Sequence, residues 1–262
     1  MPRGYGVQPT TPSPTSSRHI CVSASAIYSP ITNTGEPGHA AILAGIYGGT
    51  VTASGARDFT VDLGGGVSFD VTRIADDFTG GGSTLQLGSP DLTTMSDQVW
   101  QDGVVDIVGQ ARYAGFSQAF GTGDTTADGS VAGSWLFDVS GNGTSVSGGG
   151  QLTLGSGEFS WVRADQTGGD ALGTNRQSSL EGDNLDGSGS PVDEMVSYLI
   201  DDPDVNGGRP TYLLFFEDGG AGPDRDFNDL VIEVSVVPVP AALGLGLLGL
   251  AGAGIARRRL TA

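Results

Sequence analysis

The chain has 262 residues, with 12 basic against 30 acidic side chains and a formal net charge of −18. Every basic residue is arginine, and an acid excess of this size repels nucleic acid and anionic membrane surfaces, which excludes a nucleic-acid-binding role. One cysteine, Cys21, excludes an internal disulfide, and a hydrophobic share of 37% suffices for a core if strands supply it.

From the N-terminus, MPRGYGVQPTTPSPTSSRHI offers no apolar run of the kind an export signal needs, yet Ala24-Ser25-Ala26 has the small-x-small form of a signal cleavage site. Residues 1–26 are therefore expected to be a leader or truncated signal peptide. A disordered Pro/Ser/Thr-rich leader is the competing reading.

Residues 27–237 are expected to form the body. Pro37 ahead of HAAILAGIYGG predicts one short helix over 37–47, with Ile42, Leu43, Ile46 and Tyr47 on one face. A lone histidine there, His39, is expected to pack rather than to catalyse. Beyond the helix the pattern changes to period two: Phe59, Val61 and Leu63, then a triple-glycine turn, then Val67, Phe69 and Val71. Further strands are predicted at 83–87, 98–101, 104–114, 131–139, 150–154, 158–163, 194–200, 211–217 and 229–237, separated by Gly/Asp/Ser clusters. Residues 168–191 are poor in apolar side chains and are expected to be a long surface loop. The fold class that follows is mainly β, an antiparallel β-sandwich of jelly-roll-like type with one short N-terminal helix and a C-terminal transmembrane helix.

The densest polar constellation is FFEDGGAGPDRDFNDLVIEV, residues 215–234. Glu217 and Asp218 close one predicted strand, and Asp224, Asp226, Asn228 and Asp229 open the next. Oxygen ligands at spacings of two suit a hard cation such as calcium, which takes about 6–8 oxygens. Carboxylates crowded this closely repel one another without a counter-ion. The competing reading is a solvated hairpin tip built from ordinary turn formers. The EF-hand template is not met, because no glycine follows the third ligand position.

YLLFFED followed by DRDFNDLVIEV, with VDEMVSYLI upstream, resembles a domain of unknown function that occurs ahead of C-terminal sorting tails. The positions that carry the likeness are Glu217, Asp218, Asp224, Asp226, Phe227, Asn228, Asp229 and Leu230. This resemblance implies a β-sandwich and an exported location, with no defined activity.

The last segment, 238–262, reads VPVPAALGLGLLGLAGAGIARRRLTA with Val237 included. Val239 to Ala256 carries no charge, and 18 residues make a short membrane span. Arg257, Arg258 and Arg259 end it, each costing about 2.5–3.5 kcal/mol at a bilayer centre. Val237, Pro238, Val239, Pro240, Ala241 and Ala242, followed by the apolar span and the arginines, resemble the PEP-CTERM sorting signal in its VPxPAA variant. The resemblance implies an exosortase partner that removes the span, membrane attachment in transit, and delivery to the cell surface or extracellular matrix of a Gram-negative bacterium.

Catalytic readings find little to draw on. There are only two histidines, one of them His19 in the leader, and Trp100, Trp161 and Trp135 are scattered along the chain as core residues would be. The expected function is therefore a non-enzymatic, exported, structural or adhesive protein stabilised by calcium. A carbohydrate-binding module for exopolysaccharide is the alternative, ahead of a hydrolase.

Overall fold

The computed structural model describes residues 36–54, 58–74, 83–88, 95–166, 172–203, 205–218 and 226–237. The leader over 1–26 and the tail over 238–262, with its span 239–256, lie outside the described residues. Among the described residues no helix is long and apolar enough to cross a membrane.

Helix α1 runs His39–Tyr47, starting two residues later than predicted because Gly38, its N-cap, keeps an extended backbone. Ile42 and Leu43 are fully buried on the predicted face, and Gly48, at φ 78°, ends the helix. Strands β1 (Thr50–Ser54), β2 (Asp58–Gly64) and β3 (Val67–Arg73) then form an antiparallel meander. The triple-glycine turn joins β2 to β3, all three glycines having positive φ, a conformation closed to most residues.

The remaining strands are β4 (Ser83–Gln86), β5 (Met95–Arg112), β6 (Ser117–Gly123), β7 (Gly133–Asn142), β8 (Ser145–Ser147), β9 (Gly149–Gln166), β10 (Leu172–Ser178), β11 (Met195–Ile200), β12 (Thr211–Phe216) and β13 (Leu230–Val236). Their order is β1-β2-β3-β11-β12-β13-β5-β9-β6-β7-β8, with β10 beside β9 and β4 parallel to β5. Among the described residues the protein is thus mainly β, with two antiparallel-rich sheets and one short α-helix.

Two long strands tie the sheets together. Residues 149–159 of β9 pair with β5, while residues 160–166 pair with β6, so one strand serves two neighbours in succession. The sequence suggested two strands in each of these places, 98–101 with 104–114 and 150–154 with 158–163. In β5 the ladder shifts register between Gln101 and Gly103 and then resumes, so the glycine makes a bulge and not an end.

The stretch 168–191 departs from the predicted surface loop. It contains β10 and a 3₁₀ turn at Glu181–Asp183, and Gln177, Ser178, Glu181, Asp183 and Asn184 are buried. Its polar side chains satisfy its own backbone: Ser178 N donates to Asn184 Oδ1 at 2.8 Å, and Asn184 Nδ2 donates to the Ser178 carbonyl at 2.7 Å. Low hydrophobicity is a poor guide where side-chain amides replace ladder partners.

Strands β11 and β12 are buried along their whole length because they carry apolar layers on both faces. On one face Tyr212, Leu214, Phe216, Leu230, Ile232 and Val234 pack with Trp100, Phe120 and Trp161 of the neighbouring strands. On the other, Leu213, Phe215, Val231, Val196 and Tyr198 pack under Ile42 and Leu43 of α1. This double burial explains near-continuous apolar runs such as TYLLFF where a one-sided strand would alternate.

Candidate cation site at the end of β12 and β13

The pairing of Phe216 with Leu230 fixes the ends of β12 and β13 opposite each other. It brings Glu217 and Asp218, just past β12, next to Asp229, just before β13. Carboxylate oxygens of these three residues all lie within 4.8 Å of one another. Asp224 of the predicted set lies outside the described residues, as does Arg225. Asp226 and Asn228 belong to the same turn and are fully enclosed, at 1% and 0% exposure. Glu217 and Asp229 are 2% and 7% exposed, so these groups do not form a solvated tip.

The turn is held from both sides. Asp218 N donates to Asp229 Oδ2 at 2.7 Å, and Phe227 N donates to Glu217 Oε2 at 3.2 Å. Phe227 has φ 52°, a left-handed conformation that costs about 1–3 kcal/mol in a bulky residue and persists only where its surroundings enforce it. Those surroundings come from α1. His39 Nε2 donates to the carbonyls of Asp226 and Phe227 at 2.9 and 3.1 Å, and Tyr198 Oη donates to His39 Nδ1 at 2.8 Å. Two carbonyl acceptors on Nε2 place the proton there and leave Nδ1 as acceptor, which is the neutral imidazole. The ring stacks on Phe215 with centroids 4.2 Å apart, and Asn228 Nδ2 donates to the Pro37 carbonyl at 3.2 Å.

Electrostatics follow from burial. Burial first, and the charge of Asp218 second, push the Asp229 carboxyl up from 3.8 to about 7; Glu36 adds to the push. The Asp218 N–H and the cation of Arg163 act against it. Arg163 is itself fully buried, its Nη1 donating to Asp165 Oδ1 and Gln118 Oε1 at 2.6 Å each, while its Nε and Nη2 have no hydrogen-bond partner among the described residues. Burial, then the Arg73 charge, lowers His39 from 6.5 to about 3, in keeping with its neutral tautomer.

The donor set consists of oxygens alone, which fits a hard divalent cation. Asn228 Oδ1, in the same turn, is an enclosed oxygen with no hydrogen-bond donor among the described residues. Glu217, Asp218 and Asp229 are the described residues brought close enough together to hold such an ion, and the ion would add positive charge beside the crowded carboxylates. Two contributors were invisible from sequence order: Glu36 from the lead-in to α1, and Arg163 from the middle of β9. Nothing in a single sequence marks either, because each is brought in by tertiary packing.

No protein-family model matches the chain, and no curated protein matches it.

Proposed function

We propose that this is a non-enzymatic, exported surface or extracellular-matrix protein whose last β-hairpin is locked by a bound calcium ion. In this reading the body is a jelly-roll-like sandwich with a structural or adhesive role. The segment after Val237 is a removable PEP-CTERM-like tail that crosses the inner membrane in transit and is processed by an exosortase. The observation that carries the cation part is the meeting of Glu217, Asp218 and Asp229 within 4.8 Å. Support for the sorting part comes from the order VPVPAA, apolar span, Arg257-Arg258-Arg259.

Calcium acts here through linkage: an ion that binds the folded hairpin and not the unfolded chain stabilises the fold by about 2.7 kcal/mol at a hundredfold excess over its dissociation constant. Two measurements test the proposal separately. Isothermal titration of the chelator-treated protein with calcium should give one ion per chain, with Glu217→Gln and Asp229→Asn abolishing it; absence of binding in the parent removes the cation. Fractionation of cells expressing the chain with Arg257, Arg258 and Arg259 replaced by serine should show loss of surface delivery. Unchanged delivery removes the sorting reading.

A further inference from the structure

We infer that the carboxylate cluster is a staple between the two sheets, and that Asn175 and Gln177 of β10 are its positioning residues. They hold Asp218 in the pose that lets its carboxylate share a divalent cation with Glu217 and Asp229. The inference rests on the cation reading above and adds to it the partners that set its affinity. Glu217, Asp218 and Asp229 come from the paired ends of β12 and β13, which lie in one sheet. Strand β10 pairs with residues 162–166 of β9, within the half of that strand that runs beside β6 in the other sheet.

The backbone of Asp218 is tied down from both sheets. Its N–H donates to Asp229 Oδ2 at 2.7 Å, and its carbonyl accepts from Asn175 Nδ2 and, at 3.1 Å, from Gln177 Nε2. A carbonyl oxygen has two lone pairs, and both are taken here, so the part of Asp218 left to meet an ion is its carboxylate. With the groups on either side of its Cα held, the residue has little freedom to turn. The direction in which its side chain leaves the backbone is therefore set before any ion arrives.

The two amides are locked in their turn. Asn175 Nδ2 also donates to Asp165 Oδ2 at 2.9 Å, and Gln177 Nε2 also donates to Asn175 Oδ1 at 2.6 Å. Each amide nitrogen thus spends both hydrogens, and turning either amide over would set oxygen against oxygen. Asp165 is fixed by Arg163 Nη1 at 2.6 Å and Gln118 Nε2 at 2.8 Å. Gln118, Arg163, Asp165 and Gln177 are buried, so the row from β6 through β9 and β10 to the end of β12 works at low local dielectric, where such bonds are stronger. Ligands ordered in advance bind at a smaller entropic cost. Groups that orient metal ligands change affinity by about 10–100-fold when they are removed.

Calcium titration calorimetry on the EDTA-treated full chain tests this, comparing the parent with Asn175→Leu and Gln177→Met, which keep the size of each side chain and remove its amide. The control is Ser178→Ala, which loosens the same strand by removing the hydroxyl that accepts from Leu180 N and does not touch Asp218. Affinity should fall about tenfold or more in each amide variant and stay within about twofold in Ser178→Ala, whatever each does to Tm in EDTA. Because a substitution in this row can cost the fold itself, hydrogen exchange of the parent gives a second readout. Calcium should slow exchange in β10 by about tenfold beyond any gain in β7, which shares its sheet and lies outside the row. Amide variants that bind with parental affinity, a loss in Ser178→Ala as large as theirs, or equal protection of β10 and β7 overturns the inference and leaves the cation reading standing. A parent that binds no calcium removes both.

Discussion

His39 stands neutral in the fold because burial and the Arg73 charge oppose its protonation, and it spends that neutrality on clamping the Asp226–Phe227 carbonyls. A histidine whose folded value, about 3, lies below its unfolded 6.5 contributes stability above pH 6.5 and loses it as pH falls toward 3. Asp229 runs the other way. Its folded value of about 7 lies above the unfolded 3.8, so its contribution is complete below pH 3.8 and is lost as pH rises through 7. Between these limits the two slopes oppose each other in the metal-free protein. Urea unfolding in EDTA should therefore show the stability gap between the parent and His39→Gln shrinking by about 2 kcal/mol from pH 7 to pH 5. A gap that does not change with pH would mean that the fold leaves the proton affinity of His39 at its unfolded value. Asp229→Asn should remove the alkaline loss and leave a metal-free protein whose stability no longer falls through pH 7; an unchanged alkaline slope would assign that loss to another group.

At the scale of elements, β12 shows what double burial implies. Phe216 lies in one apolar layer and Phe215 in the other, both fully enclosed. Truncating either to alanine removes its transfer energy and leaves a cavity, so Phe216→Ala should cost about 3–5 kcal/mol in urea unfolding. A loss below 1 kcal/mol would contradict the packing of the two sheets around it. The junction of β8 with β9 is a backbone constraint instead. Gly149 has φ 131°, and a Cβ there would lie 2.2 Å from the Ile107 carbonyl oxygen. Gly149→Ala should therefore destabilise by about 2 kcal/mol or more, although it adds only a methyl group. These elements were unequally legible. The meander β2–β3 and the strands β11, β12 and β13 are announced by β-branched and aromatic runs bounded by turn residues. Strands β1, β6 and β10 are not, since TVTAS, SQAFGTG and LGTNRQS are short or polar and gain their strand character from neighbours already in place.

For the whole molecule, the predominance of β-structure and the short helix followed from composition and period alone, whereas the sheet order did not, because β13 meets β5 and β3 meets β11 across long sequence separations. The hairpin was legible as an acidic cluster, with Glu217, Asp218 and Asp229 correctly placed at facing strand ends. Its enclosure was not, since the residues that seal it, His39 and Pro37, lie 187 and 191 positions from the residues they bond. That enclosure gives the account its sharpest test, because carboxylates with little access to water need a proton or a cation. The decisive measurement is thermal unfolding of the full chain in EDTA and in saturating calcium, at pH 8 and at pH 6. A hundredfold excess of calcium over its dissociation constant should raise Tm by about 5–10 °C at pH 8, where Asp229 has released its proton. The rise should be clearly smaller at pH 6 and absent in the Glu217→Gln, Asp229→Asn double variant. A Tm that calcium leaves unmoved at pH 8, or moves equally in the double variant, would contradict the cation-locked hairpin.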